Sequence, residues 1–208
     1  LGMHAFGLEE TGDYAAAEAQ GRRSVELEPR DSWGWHAVAH VHEMRNAPHD
    51  GIAWLEPTRG TWAPGSFLAT HNTWHLALFH LELDHHDEVL RLYDEAIGGT
   101  GSAVVLDLVD ASAMLWRLHL RGVALGDRFA AVADRWASVD GAGQYAFNDL
   151  HAMIAFVGSG RSDAQQQVLQ AQQAAMAGDG DNAQFTREVG DAATRAVQAF
   201  GQGRFAEC

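Results

Sequence analysis

Apolar residues recur along this chain at helical spacing, in short segments that end at Gly, Pro or Asp. One segment places Val89, Leu92, Tyr93, Ala96 and Ile97 on a single helix face. Ala, Leu, Glu, Gln and Arg are plentiful and only four prolines occur, a composition that favours helix. The 22 glycines indicate that the helices are short and often interrupted. The pattern therefore predicts an all-α fold.

The helical segments fall into pairs. In residues 1–31 the turn Gly12-Asp13-Tyr14 is followed by the small Ala17 and then by Pro29. A tetratricopeptide hairpin has this order within a repeat of about 34 residues, although Gly21 stands where a large aromatic residue is usual. The other predicted helices are 33–44, 51–56, 71–83, 87–97, 106–121, 129–139, 145–157, 163–177 and 185–200. We therefore predict a right-handed solenoid of about five such hairpins, a single tetratricopeptide-like repeat domain over residues 1–208.

Charge and cysteine usage narrow the possible partners. The formal net charge is -14 and all 14 cationic residues are Arg, so no basic stripe for nucleic acid or for an anionic membrane is visible. No apolar run approaches the roughly 20 residues that span a bilayer. Cys208 is the single cysteine, which rules out an internal disulfide and fits a cytoplasmic protein. The chain starts and ends within helix-like sequence, so we expect a fragment of a longer protein.

Twelve histidines occur, and several lie at the predicted first helices of the hairpins. His36, His40 and Glu43 have the spacing i, i+4, i+7 and so share one helix face. His71 and His75 form a second i, i+4 pair. Aligned by their turns, the third and fifth hairpins match Asn72 with Asn148 and His75 with His151, which predicts the same environment twice. The candidate ligand-binding residues are His36, His40, Glu43, His71, Asn72, Trp74, His75, Asp110, Asn148, Asp149 and His151.

First helices of stacked hairpins line the concave face, so we expect these side chains to face a common groove, with Trp35 and Trp74 beside them. Imidazoles and carboxylates together can bind a divalent metal or perform acid–base chemistry. The alternative is that each group hydrogen-bonds between helices and fixes their stacking. The segment from His36 to His40 lacks the Glu of the zinc-protease motif, and no catalytic residue is assigned. Apart from a divalent metal, no cofactor is indicated.

Several strings together resemble the tetratricopeptide repeat protein 38 family. They are Ala5-Phe6-Gly7-Leu8-Glu9-Glu10, the run from Trp35 to Glu43, the run from His71 to Leu78, Leu92-Tyr93-Asp94, Leu108-Val109-Asp110-Ala111-Ser112 and the run from Phe147 to Met153. The resemblance covers residues 2–158 and implies a cytosolic helical-repeat fold in the C-terminal portion of a longer chain. It implies no established activity.

Three functions follow from the sequence. The first is a repeat protein whose polar pocket binds a small molecule or a peptide. The second is a protein–protein interaction scaffold in which the His and Asn residues are structural. The third is a hydrolase-like or metal-dependent enzyme. An acidic surface of this kind suits a basic or apolar peptide better than an acidic one.

Overall fold

The computed structural model describes every residue from Leu1 to Cys208, and all of its regular elements are helical. The predicted all-α class is therefore confirmed. Contacts divide the chain into two compact units, Leu1–Thr100 and Gly101–Cys208, which are described separately. None of the helices combines the length and the apolar character needed to cross a bilayer. The right-handed solenoid, and the single domain over residues 1–208, stay predictions.

The first unit consists of helices that pack on their neighbours in sequence and on those of the next pair. α1 packs on α2 and α3, α3 packs on α4 and α6, and α6 packs on α4 and α7. The core therefore continues from one helix pair to the next. The bounds are α1 Gly2–Glu10, α2 Tyr14–Leu27, α3 Ser32–Met44, α4 Pro48–Leu55, α5 Arg59–Trp62, α6 Ala69–Glu82 and α7 His86–Leu92, with a π-helical turn at Tyr93–Ile97.

Asp31 holds the start of α3 in place. Its carboxylate accepts hydrogen bonds from the backbone N–H groups of Trp33 (3.2 Å) and Gly34 (3.4 Å) in the first turn of the helix. It also accepts from the Gly2 N–H at 3.2 Å and from the Ser24 hydroxyl. One side chain thus joins α1, α2 and α3 where they meet.

Close packing of α2 against α3 explains the departure of Gly21 from the repeat pattern. A Cβ atom at Gly21 would lie 2.6 Å from Val38 Cγ2, and one at Gly34 would lie 2.9 Å from Val25 Cγ1. A large aromatic side chain at Gly21 cannot fit between the two helices. The paired glycines let α3, which carries two of the candidate histidines, approach α2 closely.

The second unit is built around α10, which packs on α8, α9, α11 and α13. Its buried residues include Met153, Ala155 and Phe156. The bounds are α8 Val105–Leu120, α9 Arg128–Ala137, α10 Ala146–Gly158, α11 Ser162–Ala175, α12 Asp181–Phe185, a π-helical turn Thr186–Gly190, α13 Asp191–Gly201 and a 3₁₀ turn Phe205–Glu207.

Two elements differ from the prediction. The short α5 forms between the predicted helices 51–56 and 71–83, where no helix was predicted and where Pro57, Gly60 and Pro64 break the chain. Its Trp62 is fully buried, and the indole N–H donates to the Leu55 carbonyl at 3.0 Å. Burial of this large side chain explains why a helical turn forms among helix breakers. The predicted helix 185–200 is instead a continuous series of α12, the π-helical turn and α13, which begins at Asp181.

Candidate metal centre

Two helices of the first unit carry the candidate histidines: His36 and His40 lie on α3, and His71 and His75 lie on α6. Asn72 holds the start of α6 against the start of α3, because its Nδ2 donates a hydrogen bond to the Ser32 carbonyl at 3.2 Å. The Asn72 side chain is fully buried in this junction. In each pair the two histidines are four residues apart, so both rings emerge on the same face of their helix.

The four imidazole rings converge. Each offers one ring nitrogen to a group in which all four atoms lie within 4.8 Å of one another. The ring centroids of His36 and His40 are 4.3 Å apart, those of His40 and His75 are 4.6 Å apart, and those of His71 and His75 are 4.9 Å apart. We call these four residues the histidine cluster. The structure thus brings together four of the eleven candidate ligand-binding residues.

Aromatic rings surround the cluster. Phe6 of α1 stacks on His36 with centroids 5.0 Å apart, and Trp33 meets the same imidazole edge-on at 5.6 Å. On the other side, Trp74 stacks on His71 at 5.7 Å with nearly parallel planes. These rings reduce the access of water and lower the local dielectric constant.

Five ring nitrogens of His36, His40 and His75 lack hydrogen-bond partners. Both nitrogens of His36, both of His75 and Nε2 of His40 are buried without one. His36 and His75 are each only 4% exposed. A buried polar atom left in this way costs about 1–3 kcal/mol, and such an atom calls for an explanation such as a bound ion.

Burial also keeps these rings neutral. Burial, together with the smaller effect of the neighbouring imidazoles, lowers the pKa of His36 to about 2 and that of His40 to about 4. The pKa of His75 lies well below its usual value for the same reasons, with burial the larger cause. At neutral pH these three imidazoles are uncharged, which is the form that binds a metal.

Two carboxylates lie next to histidines of the cluster. Glu9 Oε2 is 3.3 Å from His40 Nδ1, and Glu43 Oε2 is 4.0 Å from His75 Nδ1. Because both imidazoles are neutral, these contacts are not ion pairs, and burial raises the pKa of Glu9. At 3.3 Å the Glu9 carboxylate favours the His40 tautomer with its proton on Nδ1, which leaves Nε2 of His40 as the ligand atom, whereas Glu43 is too far from His75 for a hydrogen bond.

Sequence reasoning missed Phe6, Trp33 and Glu9 as parts of this site. The sequence feature that could have identified two of them is the spacing of Phe6 and Glu9, which are three residues apart on α1 and so share one helix face. Trp35 had been expected beside the histidines. It instead packs on Trp54 with centroids 4.3 Å apart, and its indole N–H donates to the Pro29 carbonyl at 2.8 Å. Neighbouring residues on a helix point about 100° apart, so Trp35 faces away from His36.

The remaining predicted site residues, Asp110, Asn148, Asp149 and His151, belong to the second unit. His151 Nδ1 lies 2.8 Å from the Phe147 carbonyl oxygen and donates to it. Burial lowers the pKa of His151, while that hydrogen bond and the negative charge of Asp110 raise it. Asn148 and Asp149 line a separate cavity within that unit.

A second group of possible ligands lies near the C-terminal end of α6 and consists of Glu56, His80 and Glu88. Glu88 in this group is bound by the Arg91 guanidinium, which contacts both carboxylate oxygens. A cation would have to compete with that ion pair. The histidine cluster contains no carboxylate that is already bound by an arginine, so it is the better candidate metal site.

Comparison with known proteins adds no further constraint on the site. The chain matches no known protein family, and no solved structure matches it.

Proposed function

We propose that this chain is a tetratricopeptide-like helical-repeat protein whose first unit binds a transition-metal ion at the histidine cluster. One observation carries the proposal: four imidazole nitrogens lie within 4.8 Å of one another, and the two most buried rings, His36 and His75, have no hydrogen-bond partner at either nitrogen. A single ion would serve several of these atoms at once.

The ligand set indicates the class of metal. Imidazole nitrogens suit Zn²⁺, Cu²⁺, Ni²⁺ and Co²⁺, whereas Mg²⁺ and Ca²⁺ require oxygen ligands. A tetrahedral zinc ion with Zn–N bonds of about 2.0–2.1 Å places its nitrogens about 3.4 Å apart. The cluster therefore has to contract by roughly 1 Å on binding, which small rotations of His40 and His71, the less buried pair, can supply.

The role of the metal follows from the number of ligands. Four protein ligands close a tetrahedral zinc site, whereas catalytic zinc sites keep one position open. A closed site joins α3 to α6 and stabilises the packing of the first unit. We therefore favour a structural or metal-sensing role over hydrolysis. A peptide, protein or small-molecule partner in a concave groove and a cytoplasmic location stay predictions, as does membership of the tetratricopeptide repeat protein 38 family.

Metal binding is tested by titrating the metal-free chain with Co²⁺ and recording the visible absorption of the ion. We expect one equivalent to bind with the intense bands of a tetrahedral site, and Zn²⁺ to displace it. His36→Ala and His75→Ala should lose these bands. His4→Ala, which changes an exposed histidine on α1, is the matched control and should keep them. Equal spectra for all four proteins would show that the cluster does not bind the ion.

A further inference from the structure

A third group of possible metal ligands lies at the C-terminal end of α1 and shares one residue with the histidine cluster. It consists of Glu9, Glu10 and His40, which each offer one ligand atom to a set that lies within 4.8 Å. His40 thus belongs to two sets of ligands, one formed with carboxylates and one formed with imidazoles. We call Glu9, Glu10 and His40 the outer group.

Glu9 gives the outer group a buried oxygen that makes no hydrogen bond. The residue is 6% exposed, and its Oε2, which lies 3.3 Å from His40 Nδ1, has no hydrogen-bond partner. Burial raises the pKa of Glu9 most, and the charge of Glu10 and a hydrogen bond between the two carboxyl groups raise it further. Such a hydrogen bond needs a shared proton, whose place a divalent cation can take. Neither carboxylate is bound by an arginine, in contrast to Glu88.

The outer group connects the solvent with the buried part of the histidine cluster. Glu10 is exposed and the His40 side chain is 25% exposed, whereas His36 and His75 are each only 4% exposed. The His40 ring centroid lies 4.3 Å from that of His36 and 4.6 Å from that of His75. An ion held by the outer group is therefore one imidazole away from both buried rings.

We propose that the outer group is the loading site through which a divalent transition-metal ion enters the histidine cluster. This inference rests on the proposed function, because it assigns a route to that same site. His40 has a ring nitrogen for each position: Nδ1 lies beside Glu9, and Nε2 is the ligand atom for the cluster. The neutral ring carries its one proton on Nε2 while the ion is at Nδ1, and on Nδ1 after the ion has moved inward. Carboxylates at an entrance also raise the local concentration of cations.

The test measures how fast the metal-free full chain gains the tetrahedral Co²⁺ bands after rapid mixing with the ion. We expect Glu10→Gln to slow this rise about tenfold, at the lower end of the effect of charge-lined entrances on association rates. The final intensity of the bands and the amount of bound ion should not change, because Glu10 is exposed and lies outside the histidine cluster. Glu10→Asp keeps a carboxylate and should load faster than Glu10→Gln.

Two controls separate coordination by Glu10 from general attraction to an acidic protein. Glu26→Gln removes the same charge from an exposed position on α2 and should load as fast as the wild type. The slower loading of Glu10→Gln should persist in about 1 M NaCl, where the Debye length is about 3 Å, because coordination acts at contact. Equal rates for Glu10→Gln and the wild type, equal slowing in Glu26→Gln, or a difference that disappears in salt would overturn this inference alone. Absence of the Co²⁺ bands in the wild type would overturn the proposed function as well.

Discussion

Replacing His36 by Leu should stabilise the metal-free protein while abolishing metal binding. His36 is almost fully buried, its neighbours are Phe6, Trp33 and the other imidazoles, and neither ring nitrogen has a partner. Its low pKa means that the ring is neutral at pH 7, so the cost is that of burying two unpaired polar atoms rather than a charge. Leu has a similar volume and no polar atom, which keeps the packing and removes that cost.

The expected magnitude follows from these contacts. An unpaired buried polar atom costs about 1–3 kcal/mol, and the ring contacts to Phe6 and Trp33 that Leu gives up are worth about 0.5–1.5 kcal/mol each. We therefore expect a net gain of about 1–3 kcal/mol in the free energy of unfolding of the first unit. With Zn²⁺ at about 1,000 times its Kd, the wild-type protein gains about 4.1 kcal/mol and the variant gains nothing. The order of stability should thus be reversed by the metal.

The measurement must report on the first unit alone, since two units need not unfold together. Hydrogen–deuterium exchange of peptides from α3 and α6 reports the stability of these two helices alone. It is measured over a series of urea concentrations, once in EDTA and once in Zn²⁺. His4→Leu on the exposed face of α1 is the control and should follow the wild type under both conditions. If His36→Leu destabilises the metal-free unit, the imidazole is a structural element and the reasoning from unpaired nitrogens is wrong.

Three further outcomes are expected. Glu9→Gln should weaken Co²⁺ affinity by about 10–100-fold in competition titrations with little change in fold, because the Glu9 carboxylate, 3.3 Å from His40 Nδ1, orients that ligand. In the metal-free protein, His36 and His40 bind protons below about pH 6.5 when the chain is unfolded but stay neutral at that pH in the fold. Acid therefore favours the unfolded chain. Urea melts should show the full free energy of unfolding above pH 6.5 and a loss of about 2 kcal/mol per ring at pH 5. Asn72→Leu should lower both stability, by about 1–3 kcal/mol in thermal or urea melts, and Co²⁺ affinity, because the Ser32 carbonyl loses its donor.

The convergence of the four histidines could be predicted from two features: their spacing along each helix and the packing of first helices side by side. The i, i+4 spacing puts His36 with His40 and His71 with His75 on single helix faces, and the stacking of hairpins brings first helices side by side. Both inferences use the backbone geometry of regular helices, which sequence spacing determines.

Local sequence alone could not predict the surroundings of each ring. His75 and His151 follow matching Asn residues, yet His75 lies among imidazoles while His151 donates to the Phe147 carbonyl and senses Asp110. The expectation of one environment repeated twice was therefore wrong. The difference arises from the helix packed opposite, which carries histidines in the first case and Asp110 in the second. Tertiary neighbours decide whether the same helical pattern becomes a ligand or an internal hydrogen bond.

The histidine cluster is assembled from parts that are far apart in sequence, and this ties metal binding to folding. Its ligands come from α3 and α6, and Glu9 approaches His40 from α1. In an unfolded chain these groups do not form a site, so the binding free energy of the ion adds to the stability of the folded unit. When the ion is absent, the unpaired buried nitrogens lower the stability of the folded unit. Under the proposed function, the first unit would be less stable empty than loaded, so the concentration of free metal would set how firmly α3 and α6 pack together.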